Sequence, residues 1–271
     1  MTTFPMSIRT WLTVSAISAA AIFLAACDTT PKDETARMSP EKIYAEAKEE
    51  AASGGYEKAI KLYERLEGRA AGTVLAQQAQ IERAFLLWKS GEKAQALSTL
   101  ERFIKLHPTS PALDYALYLQ GLVNFNDNLG LLGSLASQDL SERDQQASRD
   151  AYQSFRQLTE QFPQSTYADD ARLRMNYIVN SLAAYEVHVA RYYFRRGAYI
   201  AAANRAQQTV QEFQQSPSTE EALYIMMQSY DRLGLTQLRD DAGRVLKTSF
   251  PNSTILANGL GNKKARWWQL W

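Results

Sequence analysis

Apolar and polar positions divide this chain into three regimes. Residues 11–26 carry no charge, and they follow a short polar segment, residues 1–10, whose one basic residue is Arg9. A stretch of 16 residues is shorter than the roughly 20 that a membrane-spanning helix needs. Residues 28–38, "DTTPKDETARM", are polar without an apolar period, as expected of a flexible tether. From Ser39 onward Ala, Leu, Gln, Glu and Arg recur at helical spacing, while alternating β-branched runs do not occur. The pattern predicts an all-α chain. Its first helix opens at Ser39-Pro40-Glu41, with a hydroxyl as N-cap, a proline at the first helical position and an acid in the first turn.

The helical region repeats itself. "GYEKAIKLYERL" (55–66), "GEKAQALSTLERFIKLHP" (91–108) and "GAYIAAANRAQQTV" (197–210) each place a Gly turn, then an Ala that lets two helices approach, then larger apolar residues. Helix ends recur too, at Pro108, Pro163, Pro217 and Pro251, where the proline ring blocks continuation and the Ser or Thr that follows caps the next helix. Ser218 and Glu221 have capping-box spacing. Such units resemble the tetratricopeptide (TPR) repeat, a helix–turn–helix of 34 residues.

On this frame repeat 1 lies near 40–75 and repeat 2 near 77–108. Repeat 3 starts near Asp114, with Gly121 at the small position of its first helix and its second helix at 151–162. About 18 residues, within 126–146, are thus inserted. Repeat 4 has a long first helix (167–196) and a second at 199–213; repeat 5 covers 218–250. The expected fold is a right-handed TPR-like α-solenoid of about five repeats, more than the three needed for a continuous core. The chain divides into a leader (1–26), a tether (27–38), N-terminal repeats (39–165), C-terminal repeats (166–258) and a tail (259–271).

The single cysteine changes the picture of the N-terminus. Leu24-Ala25-Ala26-Cys27 resembles the bacterial lipobox, in which the apolar leader is removed and the new N-terminal cysteine is acylated with a diacylglycerol and an N-acyl group. An ordinary signal peptide with a chance cysteine, or a signal anchor, is the alternative; small residues at both preceding positions favour the lipobox. With Cys27 acylated no intrachain disulfide can form, so packing alone must hold the fold. The lipid would be the membrane attachment. The chain has 30 basic and 29 acidic residues, and Arg9 leaves with the leader, so the remainder is balanced. A balanced chain gives no electrostatic case for nucleic acid, which calls for a concentrated basic patch.

Stacked helix pairs form a superhelix whose concave face is lined by the first helix of each repeat and binds peptides or other proteins. On those helices of repeats 1 to 3 lie Tyr44, Phe85, Trp88, Tyr115, Tyr118 and Phe125. Aromatics at helical spacing are ordinarily core. Six across three repeats exceed what the core positions require, which predicts an aromatic groove for apolar segments of a client chain. Catalytic chemistry finds no footing. His107 ends a helix and His188 stands alone, and the pairs Asp169-Asp170 and Asp240-Asp241 point about 100° apart on a helix and read as solvated charge. Phosphate loops, HExxH and paired-cysteine motifs are missing, so no cofactor or metal is expected. The tail "GNKKARWWQLW" sets Trp267, Trp268 and Trp271 behind Lys263, Lys264 and Arg266. It fits a cap on the last repeat, and equally a membrane-interface or partner contact.

Lipobox, tether and five irregular repeats with an insert in the third resemble the BamD family, lipoproteins of the outer-membrane β-barrel assembly machinery, and in particular its ComL-type members. The resemblance covers the mature chain and is most specific in "SPEKIYAEA", "LERFIKLHPTSPALDYALYLQGL", "SERDQQASRDAYQSF" and "VARYYFRRGAYIAAANRAQ". It implies a binding subunit on the periplasmic face of the outer membrane. Its partners would be BamA, through the last POTRA domain, BamC and BamE where present, and unfolded β-barrel precursors. It further implies that the N-terminal repeats face the client and the C-terminal repeats hold BamA. An Arg of the fourth repeat's second helix pairs with a POTRA acid in the family; in "AAANRAQ" that residue is Arg205. Removing it is expected to weaken BamA binding with the helical fold intact. Asp28, directly after the acylated cysteine, leaves inner-membrane retention open. Two other readings stay open on the residues: a TPR pilotin lipoprotein for a type IV pilus secretin, which would have regular repeats and no insert, and a peptidoglycan-associated lipoprotein.

Overall fold

The computed structural model describes residues 35–125 and 145–259. The leader, Cys27 with most of the tether (to 34), all but the last two residues of the insert (126–144) and the Trp-rich tail from 260 lie outside the described residues. Within these residues the chain is all helical: α1 (Pro40–Ala52), α2 (Tyr56–Arg69), α3 (Val74–Lys89), α4 (Lys93–Leu106), α5 (Leu113–Asn124), α6 (Gln145–Gln161), α7 (Ala168–Arg195), α8 (Tyr199–Glu212), α9 (Ser218–Arg232), α10 (Thr236–Ser249) and α11 (Thr254–Asn258). Each of α1 to α9 packs against the helix that follows it, and α10 packs against α9. The arrangement is a TPR-like α-solenoid. None of these helices is long and apolar enough to cross a membrane.

Local chemistry explains the punctuation. Ser39 accepts a hydrogen bond from the Lys42 amide at 3.3 Å, with Pro40 opening α1 as its missing N–H allows. Tight turns between paired helices need a left-handed residue, supplied by Gly91 (φ 88°) and Gly197 (φ 79°). In the first repeat that residue is Gly54 rather than Gly55. Five residues beyond each of these glycines stands Ala59, Ala96 or Ala202, all with 0% exposure, where two helix backbones meet.

The inter-repeat turns share one design. The amides of Ser110, Ser165, Ser216 and Ser253 donate to the carbonyls of His107, Phe162, Phe213 and Phe250 at 2.9–3.1 Å. Their hydroxyls then accept from an amide at the start of the next helix. Two of these serines also reach back one repeat: Ser110 Oγ donates to Gln77 Oε1 at 2.9 Å across 33 residues, and Ser165 Oγ to Asp114 Oδ2 at 2.7 Å across 51. The 18 extra residues are the insert. At Ser218 the expected capping box does not form, because Ser216 already serves the Ser218 amide and Glu221 pairs instead with Arg191 of α7 at 2.7 Å.

Core residues form clusters that share members, Ile60 and Phe85 joining the first two repeats and Ile104 the second and third. Positions homologous to Ile60 and Leu97 are Ala203 in α8 and Asp240 in α10; those homologous to Ile104 are Val210 and Lys247. The side of α10 on which a further repeat would stack is therefore polar.

Candidate partner-binding surface

Five of the six aromatics expected in a groove are half-buried on the first helices of repeats 1 to 3, and the structure groups them in three places. Tyr44 of α1 meets Tyr63 of α2 edge-on at 5.8 Å. Phe85 and Trp88 of α3 meet at 6.0 Å, with Lys89 Nζ over both rings. Tyr115 and Tyr118 of α5 pack on Tyr167, at 5.3 and 4.8 Å, the latter pair stacked. Phe125 departs from the expectation. It lies one residue past the end of α5, in extended backbone, and its ring turns inward against Phe155 and Tyr177 with 8% exposure. It is a core residue.

Polar groups between these rings had no clear sequence signal. On α3, Gln78, Glu82, Phe85 and Lys89 share one stripe by helical spacing. Burial pushes the Glu82 carboxyl above its usual range, and Lys48 only partly offsets this; among the described residues it makes no hydrogen bond or ion pair. Burial, and then the charge of Glu82, raise the phenols of Tyr44, Tyr63 and Tyr115. Glu82 thus lies among three tyrosines drawn from α1, α2 and α5. One repeat on, Tyr118 donates to Asp170 Oδ2 at 2.7 Å, and Arg174 Nε donates to the same oxygen at 2.6 Å while its guanidinium covers the Phe125 ring at 5.0 Å. Burial and that bond push the Tyr118 phenol up to about 12. The Asp170 carboxyl falls below its usual range: burial alone would raise it, and the bonds from Arg174 and Tyr118 outweigh burial. Asp170 is therefore part of a network, whereas Asp169, at 95% side-chain exposure, is the solvated charge expected.

Arg205 sits on α8, and its Nη1 donates to Glu186 Oε2 of α7 at 3.0 Å. Glu186 is 3% exposed and Arg205 43%, so the acid is buried while the Arg205 side chain remains partly open to water. Removing Arg205 strands that acid, at a cost on the order of 3 kcal/mol. Arg205→Ala therefore does not separate fold from binding as the sequence alone suggested. His107 packs against Phe103 at the end of α4, and His188 is exposed on α7. Elsewhere a cavity of about 300 Å³ opens between α6, α7 and the end of α8, floored by Tyr152, Val179, Leu182 and Phe213. None of the expected groove residues lines it.

Comparison with known proteins gives one family. Residues 36–245 match the profile of YfiO, described as outer membrane lipoprotein. The chain is 48% identical over 237 residues to the outer membrane protein assembly factor BamD of Neisseria meningitidis serogroup A, covering 88% of this chain and 89% of that one. With the same factor of Xylella fastidiosa strain Temecula1 it shares 35% identity over 223 residues, 82% of this chain and 76% of the other. Among solved structures it is similar to that of PilW, a type IV pilus biogenesis factor, at 14% identity and a TM-score of 0.36, covering 83% of this chain and 100% of that one.

Proposed function

Because the chain belongs to the YfiO family of outer membrane lipoproteins, whose curated relatives are outer membrane protein assembly factors, we propose that it is the non-catalytic scaffold subunit of the β-barrel assembly complex. Cys27 carries the acyl groups that hold it to the membrane. Arg205 and its surroundings in repeat 4 bind an acid of the BamA POTRA region, BamC and BamE attach where they exist, and repeats 1 to 3 receive unfolded β-barrel precursors. Membership puts the chain at the outer membrane, so Asp28 is read as neutral for sorting.

The observation that carries the client half of this reading is the half-buried aromatic surface of Tyr44, Phe85, Trp88, Tyr115 and Tyr118. Rings at such positions offer apolar area to an incoming segment at little conformational cost. Glu82 and Asp170 set between them supply polar contacts for a main chain that arrives without its own hydrogen bonds. Phe125, being core, is left out of that surface.

Photo-crosslinkers installed at Phe85 and Tyr118 of the full-length chain test the proposal. Labelling of unfolded β-barrel precursors is the expected result. Labelling of BamA alone, or of nothing, would remove client binding from repeats 1 to 3.

A further inference from the structure

We infer that Glu186 is a positioning residue, built into repeat 4 to hold the Arg205 guanidinium in the orientation that receives a carboxylate from the partner; this rests on the reading of Arg205 given above. The argument comes from the repeats themselves. Glu186 and Arg205 are separated by 19 residues, and the same step separates Gln80 from Thr99 in repeat 2, where Gln80 Nε2 donates to the Thr99 carbonyl at 3.4 Å. Aligned on the glycine turns, the homologous pair is Ile43 and Leu62 in repeat 1 and Leu223 and Ala242 in repeat 5, all buried.

One slot between paired helices is thus filled by two aliphatic residues, by a neutral hydrogen bond, or by an ion pair whose acid is buried. Only the last needs a charge taken out of water, and a buried pair adds little stability over well-packed apolar residues. Repeat packing is satisfied without it at either end of the same molecule. What the acid does supply is direction. Glu186, at 3% exposure, engages the guanidinium through Nη1, while the Arg205 side chain stays 43% exposed and the planar fork has further N–H groups to offer a second acceptor. A guanidinium held this way meets a second carboxylate without first losing side-chain freedom. The same role explains an otherwise costly Arg at a position that is Leu62, Thr99 or Ala242 elsewhere.

The test titrates the full-length chain in detergent with the purified POTRA region of BamA and records affinity and melting temperature together. Variants are Glu186→Gln, Glu186→Leu and the double variant Glu186→Ile/Arg205→Leu, which copies repeat 1. Affinity is expected to fall in the order parent, Gln, Leu, by roughly tenfold or more at the last step. The double variant should melt near the parent yet bind as weakly as Glu186→Leu. Affinity that simply tracks melting temperature would make Glu186 a structural residue only, and so would parent-like binding by both single variants. Parent-like binding by the double variant would instead remove Arg205 from the contact and overturn the reading beneath this one. Should Glu186→Leu fail to fold, Glu186→Gln, which keeps shape and an acceptor oxygen, decides alone: undiminished affinity refutes the inference.

Discussion

The Phe155 ring fills the space that a side chain at Gly121 would need: a Cβ at that position would lie 2.4 Å from Cε1 of the ring. Phe155 has 0% exposure, so the ring cannot step aside. Gly to Ala within a helix ordinarily stabilises by up to about 1 kcal/mol. Here overpacking decides the sign, and Gly121→Ala should destabilise by about 1–3 kcal/mol. Thermal unfolding followed by circular dichroism measures it. The double variant Gly121→Ala/Phe155→Leu should recover part of the loss, and an unchanged melting temperature in the single variant would show that α5 and α6 are packed more loosely than described.

Tyr118→Phe deletes a donor to a carboxylate and leaves the ring stack on Tyr167 in place. A hydrogen bond to a charged group contributes about 1.5–3 kcal/mol, and Asp170 keeps Arg174, so the loss should fall at the lower end. The variant should also lose part of its acid dependence. The Asp170 carboxyl lies below its unfolded value of 3.8, so its contribution is present above that pH and disappears as pH falls through the folded value. Without the Tyr118 donor that window narrows, which urea titrations between neutral pH and pH 3 would register.

Glu82 gives the opposite sign. Its carboxyl is raised by burial above the ordinary 4.5. The fold therefore favours its protonated form, a contribution fully present below pH 4.5 and lost as pH rises through the folded value. Glu82→Gln should melt higher than the parent at neutral pH, and the two should converge in acid. Equal melting temperatures at neutral pH would mean that Glu82 is as well solvated as a surface acid.

The two serine tethers make a comparative prediction. Ser165→Ala removes a bond to the Asp114 carboxylate, whereas Ser110→Ala removes one to the neutral Gln77 amide. The first should cost about 1.5–3 kcal/mol and the second about 0.5–1.5. The reverse order in paired melting experiments would argue that the turns, and not these side chains, set the stacking of repeats 2 to 4.

Much of this was readable from residue order. Gly91, Gly197 and the prolines after α4, α6 and α10 mark helix ends because backbone chemistry acts locally, and Gly121 stood out as the small residue of its helix. What failed depended on geometry at a helix end or across a turn. Phe125 keeps helical spacing with Tyr118, but α5 stops at Asn124 and the next residue points inward. α6 already includes Gln145, ahead of the expected 151: Ser148 and Ala151 are buried by their neighbours although Ser and Asp weaken the local helical signal. Tyr167 reaches Tyr115 and Tyr118 from about 50 residues further along the chain, a contact that spacing within a single helix does not announce. The pairing of Glu186 with Arg205 spans two helices across the Gly197 turn, and like that of Gln80 with the Thr99 carbonyl it shows only once those helices are packed.

The charged flank of α10 has one more effect. An architecture made of stacked units has no intrinsic length, and two such rods could in principle join end to end into a fibre. Asp240 and Lys247 make that junction unfavourable, because docking would bury ionic groups where Leu97 and Ile104 offer hydrocarbon. Crowded on a bilayer at high local concentration, molecules of this kind would stay individual, each with its own count of hairpins.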